Sequence, residues 1–320
     1  MKLFFLINIF LYSFLSFANN YKINKPYVSV YCIFPYKNQY SNYYEDLAPY
    51  EKAVTVIKGN TCIKQMDQYL YNDSVTRNTD FDEEGLVFVE KNESSMGYIK
   101  LEDWEISRPL SYAKYSPHKT SVMIISPFFE YEGVKYSMGT VLCIDREIIK
   151  NNPDNLGELN HIKALSLNNK REQIISLAKK LIGQPYQWGG RTALDGGGYD
   201  CAGLVNIVYL ASGLDTPRGV GMQYQKSTDI NSSNDLLIGD LLFYCDITKF
   251  DSAIHVMLYT GKKQGKHTYI HATPEAMSVV EETYDVDEII NNTLIPGTNY
   301  KLKLRRLNVW SVDSQGNLIH

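Results

Sequence analysis

Apolar and polar positions change rhythm several times along this chain, and each rhythm predicts a different element. Behind Lys2, Leu3 to Leu15 is mostly apolar and leads into Ser16-Phe17-Ala18. That run is short of the roughly 20 residues a bilayer span needs, so it predicts a secretory signal cleaved after Ala18. Residues 19–50 carry scattered Tyr and Pro without a clear period and are expected to wrap over the domains C-terminal to them. Short apolar runs then alternate with polar turns. Ala53-Val54-Thr55-Val56-Ile57, Gly85-Leu86-Val87-Phe88-Val89 and Met96-Gly97-Tyr98-Ile99 define one strand-rich unit over 51–107. Ser121-Val122-Met123-Ile124-Ile125, Phe128-Phe129-Glu130-Tyr131 and Gly139-Thr140-Val141-Leu142-Cys143-Ile144 define a second over 108–150. Runs of that length and spacing suit small β-barrels. Residues 151–169, polar and containing Pro153, read as a linker to a final domain over 170–320.

The period becomes helical from Lys170 to Leu181, with Ile174, Ile175, Ala178, Leu181 and Ile182 on one face and Gly183 and Pro185 as the stop. A glycine-rich loop comes next, Tyr186-Gln187-Trp188-Gly189-Gly190, then Tyr199-Asp200-Cys201-Ala202-Gly203-Leu204-Val205. Leu204, Val205, Val208 and Tyr209 repeat with a helical period, which places Cys201 at a helix N-terminus. Unpaired N–H groups and the positive end of the macrodipole there favour thiolate over thiol. Beyond Leu236 the chain is strand-rich. Asp251 to Gly261 and Lys266 to Thr273 predict a hairpin around Lys262-Lys263-Gln264-Gly265 that brings His255 and His271, sixteen residues apart, onto neighbouring strands. Cysteine, then two histidines, is a set able to supply a nucleophile, its base and the group that orients the base. Cys201, His255 and His271 are therefore the candidate catalytic residues, with the Cys201 N–H as an oxyanion donor.

Composition narrows the class. The chain has 320 residues, 44% hydrophobic and 21% charged, an ordinary globular balance. A formal net charge of −4 offers no basic field for nucleic acid. Tyrosine is abundant, at 25 residues, which suits small β-barrels and grooves that bind sugars or peptides, and equally suits a biased genome composition. Nothing after the signal is long and apolar enough to span a membrane, so the mature chain is expected to be exported without stable membrane insertion. All five cysteines lie beyond the signal, and an odd count in an oxidising compartment leaves at least one free thiol. Cys201 is the expected free one; Cys32 with Cys62, or either with Cys143, could bridge, and Cys245 reads as a buried strand cysteine. Asp80 to Glu84 does not have calcium-loop spacing, and the candidate site lacks the close-spaced ligand pairs of a zinc centre. No metal and no cofactor is called for.

Several of these motifs resemble the NlpC-type family of bacterial cell-wall cysteine peptidases. They are Pro185-Tyr186-Gln187-Trp188-Gly189-Gly190, Asp200-Cys201-Ala202-Gly203-Leu204-Val205, Gly239-Asp240-Leu241-Leu242-Phe243, His255-Val256 and Ile270-His271-Ala272. The two β-rich units more weakly resemble the paired Src-homology-3-like domains that precede this peptidase in some members. The resemblance implies an α+β, papain-like core and hydrolysis of γ-D-glutamyl-diamino acid bonds in peptidoglycan stem peptides. It implies that Tyr186 lines the oxyanion site, that Asp200 binds the free amine of an N-terminal L-Ala, and that Arg218 and Gln223 contact substrate. Ala202 stands where many members have serine, and Gly219-Val220 replaces a polar pair that comes after the arginine. Two other readings stay open: a wall-binding protein whose peptidase domain is catalytically altered, and a papain-like amidase or acyltransferase acting on another amide or ester.

Overall fold

The computed structural model describes residues 20–35, 55–58, 61–71, 73–83, 85–92, 95–105, 108–109, 118–249, 252–284, 294–295 and 297–310. The expected signal over 1–18 lies outside them. The N-terminal part is one antiparallel sheet of eight strands: β1 (Asn20–Lys22), β2 (Tyr27–Pro35), β3 (Thr55–Lys58), β4 (Thr61–Leu70), β5 (Ser74–Arg77), β6 (Leu86–Asn92), β7 (Ser95–Lys100) and β8 (Arg108–Pro109). Their order is β3-β4-β2-β7-β6-β5-β1-β8, and the ends β3 and β8 do not pair with each other. This corrects two expectations. Among the described residues the sheet is not closed, where a barrel over 51–107 was expected, and the segment expected to wrap over its neighbours supplies β1 and β2. The reason is visible in β2, where Val28 and Val30 point inward and are buried while Ser29 and Tyr31 are half-buried. Its period of two is masked in the sequence by tyrosines on the outward positions. Ile23, Val28, Val30, Tyr69, Val75, Val87, Val89, Ile99 and Trp104 form the core of this part, the last from the short helix α1 (Leu101–Glu105).

The second unit is smaller still. β9 (Lys119–Ile124) lies between β12 (Val141–Asp145) and β13 (Leu156–Glu158), beside a separate hairpin of β10 (Phe128–Tyr131) and β11 (Val134–Ser137). Val122, Ile124, Leu142, Ile144 and Leu156 make its core, and it too does not close into a barrel among the described residues. After α2 (Arg146–Asn151), the expected linker carries both β13 and α3 (Leu159–Ala164), because Leu156 and Ile162 are buried against this core and the next.

The C-terminal part combines helices and one sheet, the α+β arrangement expected for it. α4 (Leu167–Lys180) starts three residues before the expected position because Ser166 caps it, accepting from the Asn169 N–H at 3.3 Å. α5 (Cys201–Leu210) and α6 (Val220–Gln225) come after it. The sheet runs β14-β19-β15-β16-β17-β18, built from Ser227–Asp229, Tyr300–Leu307, Leu241–Asp246, Ser252–Lys263, Lys266–Thr273 and Ser278–Tyr284. One face packs Leu241, Phe243, Cys245, Val256, Leu258, Ile270 and Ala272 against α4 and α5. The other carries Leu242, Met257, Tyr259, Tyr269, Leu302 and Leu304. The basic stretch Lys301 to Arg306 lies inside this sheet: Arg305 pairs with Asp229, and Arg306 with Asp240 at 2.6 Å. Cys32, Cys143, Cys201 and Cys245 are free thiols, and Cys245 is fully buried. No helix among the described residues is long and apolar enough to cross a membrane.

Candidate active site

The local sequence sets Cys201 as the first residue of α5. Asp200 is the N-cap, in extended backbone, with Oδ1 accepting the Gly203 N–H at 2.6 Å. The glycine-rich loop lies directly on this helix start, its Gly190 carbonyl accepting from the Asp200 N–H. A Cβ on Gly203 would stand 2.1 Å from the Gly190 oxygen, so only glycine allows that approach. Asp200 Oδ2 accepts from the Gly189 N–H at 2.9 Å, and Arg218 grips both carboxylate oxygens, at 2.9 and 2.8 Å. The same guanidinium donates through Nε to Asp67 Oδ1 at 2.6 Å. Asp67 lies on β4, so the N-terminal sheet reaches the residue beside the thiol through one buried arginine.

The two histidines are placed by the hairpin of β16 and β17. Its turn is Gln264-Gly265, both at positive φ (+53° and +82°), the backbone that suits a two-residue hairpin. A one-residue register shift between Tyr259 and Gly261 leaves Thr260 as a bulge. Beyond it Leu258 faces Ile270, which puts His255 and His271 diagonally across one face of the sheet. His255 Nε2 meets His271 Nδ1 at 2.8 Å. A second bulge lies beyond the Tyr244–His255 pair of β15 and β16, and the half-exposed Ile254 there lines the cleft. The next residue over, on β18, is Glu282: its Oε2 lies 3.2 Å from His271 Nε2. Tyr244, His255, His271 and Glu282 thus form a row across four adjacent strands.

Electrostatics in the site differ from the helix-terminus expectation. Burial pushes the Cys201 thiol up to about 12, and the Asp200 charge adds to it. The N–H groups of Val256 and Ala202 and the Arg218 charge oppose this without prevailing. Burial, with the neighbouring His271, pushes His255 down to about 3. His271 is lowered by burial despite the opposing charges of Glu282 and Glu275. Burial therefore opposes the macrodipole at this helix start, and both shifts favour the uncharged thiol and the uncharged imidazole.

These directions fix how stability depends on pH. A histidine free in the unfolded chain binds its proton near pH 6.5, while His255 and His271 resist it in the folded state. Below about pH 6.5 the unfolded state holds more protons, so stability falls as pH falls, by up to roughly 1.4 kcal/mol per pH unit for each ring. Asp67 acts lower: burial alone would raise its carboxyl, but Arg191 and Arg218 hold it below the ordinary value. Urea midpoints should drop already between pH 6.5 and 5, before the carboxylates titrate, and the drop should be shallower in His255→Asn. A flat midpoint over that window would contradict the buried neutral pair.

A cleft of about 780 Å³ brings the expected residues together. Cys201, His255, His271, Tyr186, Asp200 and Arg218 all line it. Gln223 does not. Its side chain is fully buried, and Nε2 donates to the carbonyls of Ala202 and Pro217 at 3.0 and 2.9 Å. It ties the Arg218 loop to α5 from outside the cleft lining, where a substrate contact was expected. Among the lining residues that the sequence does not reveal, Cys32, Met66, Asp67, Ser95 and Met96 come from the N-terminal sheet, and Tyr244, Ile254, Glu282 and Tyr300 from the strands around the histidines. The positions of the first five depend on contacts made far along the chain. Gln68 Nε2 donates to Gln187 at 2.8 Å, Gln65 Nε2 to the Trp188 carbonyl at 3.0 Å, and the Arg191 N–H to Gln68 Oε1 at 2.8 Å. Polar residues alternating on a strand, such as Gln65 and Asp67, carry no signal in the sequence that another domain covers them.

This arrangement of cysteine, helix and histidine hairpin has relatives. Residues 183–293 match the NlpC/P60 family, and this part of the chain is an NlpC/P60 domain. The chain is 31% identical over 117 residues to the gamma-D-glutamyl-L-lysine dipeptidyl-peptidase of Bacillus subtilis (strain 168), covering 37% of this chain and 38% of that protein. It is 36% identical over 92 residues to the probable endopeptidase p60 of Listeria seeligeri, covering 28% of this chain and 16% of that one. The chain therefore matches well under half the length of these two relatives. The crystal structure of an NlpC/P60 family protein from Bacillus cereus ATCC 10987 superposes with a TM-score of 0.58 at 17% identity. That match covers 90% of this chain and 99% of the other, so the likeness of fold extends into the N-terminal sheets.

Proposed function

We propose that this protein is an exported cysteine endopeptidase that cleaves γ-D-glutamyl-diamino acid bonds in peptidoglycan stem peptides. One observation carries the reading: the thiol at the start of α5 and the hydrogen-bonded His255–His271 pair line the same cleft. Cys201 Sγ attacks the γ-glutamyl carbonyl carbon as its proton passes to His255, so the ion pair forms during attack. The Cys201 N–H and Tyr186 receive the oxyanion. As the C–N bond breaks, His255 returns the proton to the leaving amine of the diamino acid. Water, activated by the same ring, then hydrolyses the thioester and releases the γ-glutamyl carboxylate. The names of the relatives, which include a gamma-D-glutamyl-L-lysine dipeptidyl-peptidase and endopeptidases, support this bond type. The test is product analysis on purified muropeptides: release of a fragment ending in γ-D-glutamate supports it, and intact peptides with another amide or ester cleaved would overturn it.

The same reading makes a free L-Ala amine part of the substrate. The wall of Met66, Asp67, Ser95 and Met96 closes the cleft on the Asp200 side, and an ammonium there would share the Asp200 oxygens with Arg218. A charged hydrogen bond of this kind contributes about 1.5–3 kcal/mol, roughly 10- to 150-fold in kcat/KM. Asp200→Asn keeps an N-cap, since Asn caps a helix as well as Asp. It should therefore lower kcat/KM by that factor on free-amine peptides and little on N-acetylated ones. An equal loss on both would leave Asp200 as a cap and a partner of Arg218 only.

A further inference from the structure

The row across the sheet does not stop at the second histidine. His271 is faced by His255 from β16, by Glu282 from β18 and by the charge of Glu275 in the loop after β17. Only 4% of the His271 side chain is exposed, whereas Glu282 is 44% exposed and reaches in from the rim. Its Oε2 stands 3.2 Å from Nε2, within ion-pair distance, and Nε2 makes no hydrogen bond of good geometry to any other group among the described residues.

Proton accounting along this row gives Glu282 a task. A neutral imidazole carries one N–H and one lone pair, and a carboxylate only accepts. With Glu282 beside it, His271 Nε2 is the protonated nitrogen, which leaves Nδ1 as a lone pair. His255 Nε2, 2.8 Å from that lone pair, must then be the donor. The consequence appears at the far end: His255 Nδ1 is left unprotonated, the form able to take a proton from a thiol. The opposite choice, His271 protonated on Nδ1, would make His255 Nε2 the acceptor and leave a proton on Nδ1. In that state the base is already occupied.

We propose that Glu282 is a positioning residue that sets the tautomers of both histidines and so keeps His255 ready to act as base. The proposal rests on the reading of Cys201 as nucleophile and His255 as its base. No net transfer is involved: Glu282 stays a carboxylate, and each ring keeps one proton.

The test uses the full chain with 15N-labelled histidine. In the wild-type protein at pH 7, NMR should find both His255 and His271 protonated on Nε2. Glu282→Leu removes the acceptor and should populate the Nδ1–H form of His271. It should lower kcat roughly tenfold, a fraction of the 10²–10⁴ that general base catalysis supplies, with little change in KM. Glu282→Gln keeps an acceptor oxygen without the charge and should fall between the two. The exposed position of Glu282 keeps these variants folded, and the wild-type spectrum alone is already decisive. His271 protonated on Nδ1 in the wild type, or unchanged tautomers and kcat in Glu282→Leu, would overturn the proposal. Because the spectra need no substrate, failure of the peptidase reading on muropeptides would show separately from failure of the tautomer assignment.

Discussion

Cys201→Ala is expected to abolish hydrolysis of stem peptides while leaving the fold and thermal midpoint nearly unchanged. Alanine is the best helix former, and the cap at Asp200 and the Gly190 contact at Gly203 do not involve the thiol side chain. What disappears is the nucleophile, and no other cleft group replaces it. Cys32 is the instructive control, because it lines the same cleft and is a free thiol contributed by the N-terminal sheet. Burial raises its thiol as well, with Lys64 opposing, but no imidazole is placed beside it among the cleft residues of its strand. Cys32→Ser should keep activity, and alkylation that inactivates the wild type should map to Cys201. Substantial turnover by Cys201→Ala, or inactivation that tracks Cys32, would refute the catalytic assignment. His255→Ala should be as severe, and chelators should leave the wild-type rate unchanged.

Arg218→Leu should cost about 3–5 kcal/mol of stability, the loss expected when one partner of a buried ion pair is removed. Arg218 is 6% exposed and holds two carboxylates at once, Asp67 through Nε and Asp200 through both Nη atoms. Without it those carboxylates face each other, and Asp67 keeps Ser95, the Gln68 N–H and the charges of Arg191 and Lys91. A double-mutant cycle with Asp67→Asn isolates the pair, since neutralising Asp67 should recover part of the loss. Urea unfolding of the four proteins measures it. A loss below about 1 kcal/mol, the range of exposed pairs, would show that water reaches this network freely.

Legibility in the sequence tracks the range of the forces involved. The start of α5 is readable because cap, glycine and apolar stripe all act within a few residues, and the hairpin because its turn is local. Two features of the site depend on distant packing. A helix N-terminus on its own lowers a thiol, yet desolvation by the sheet and the Asp200 charge raise Cys201. Gln223 is polar and close to Arg218 in sequence, but nothing local reveals that its Nε2 is committed to the Ala202 and Pro217 carbonyls. Glu282 escapes the sequence for a related reason. Its role depends on the pairing of β17 with β18, where His271 faces Val280 and Glu282 sits one diagonal step away. The N-terminal sheet shows the limit most plainly, since β1 pairs with β5 52 to 56 residues later and β2 with β4 26 to 43 residues later.

The bulge at Thr260 places a rule of arithmetic on this hairpin. With a two-residue turn and no bulge, residue 271 would stand opposite residue 258 and share its helix-facing side, leaving His255 alone on the other. One extra residue corrects the count. Chain-length changes between the two histidines are therefore filtered by parity: two residues added at Gln264-Gly265 lengthen the tip and keep both rings together. One residue removed from β17 sends His271 among Val256, Leu258 and the helices unless a bulge absorbs the change. Loss of Thr260 itself takes the bulge with it and leaves the rings in register. The tip of this hairpin is thus a place where insertions, tags or labels of even length can be carried without disturbing the chemistry.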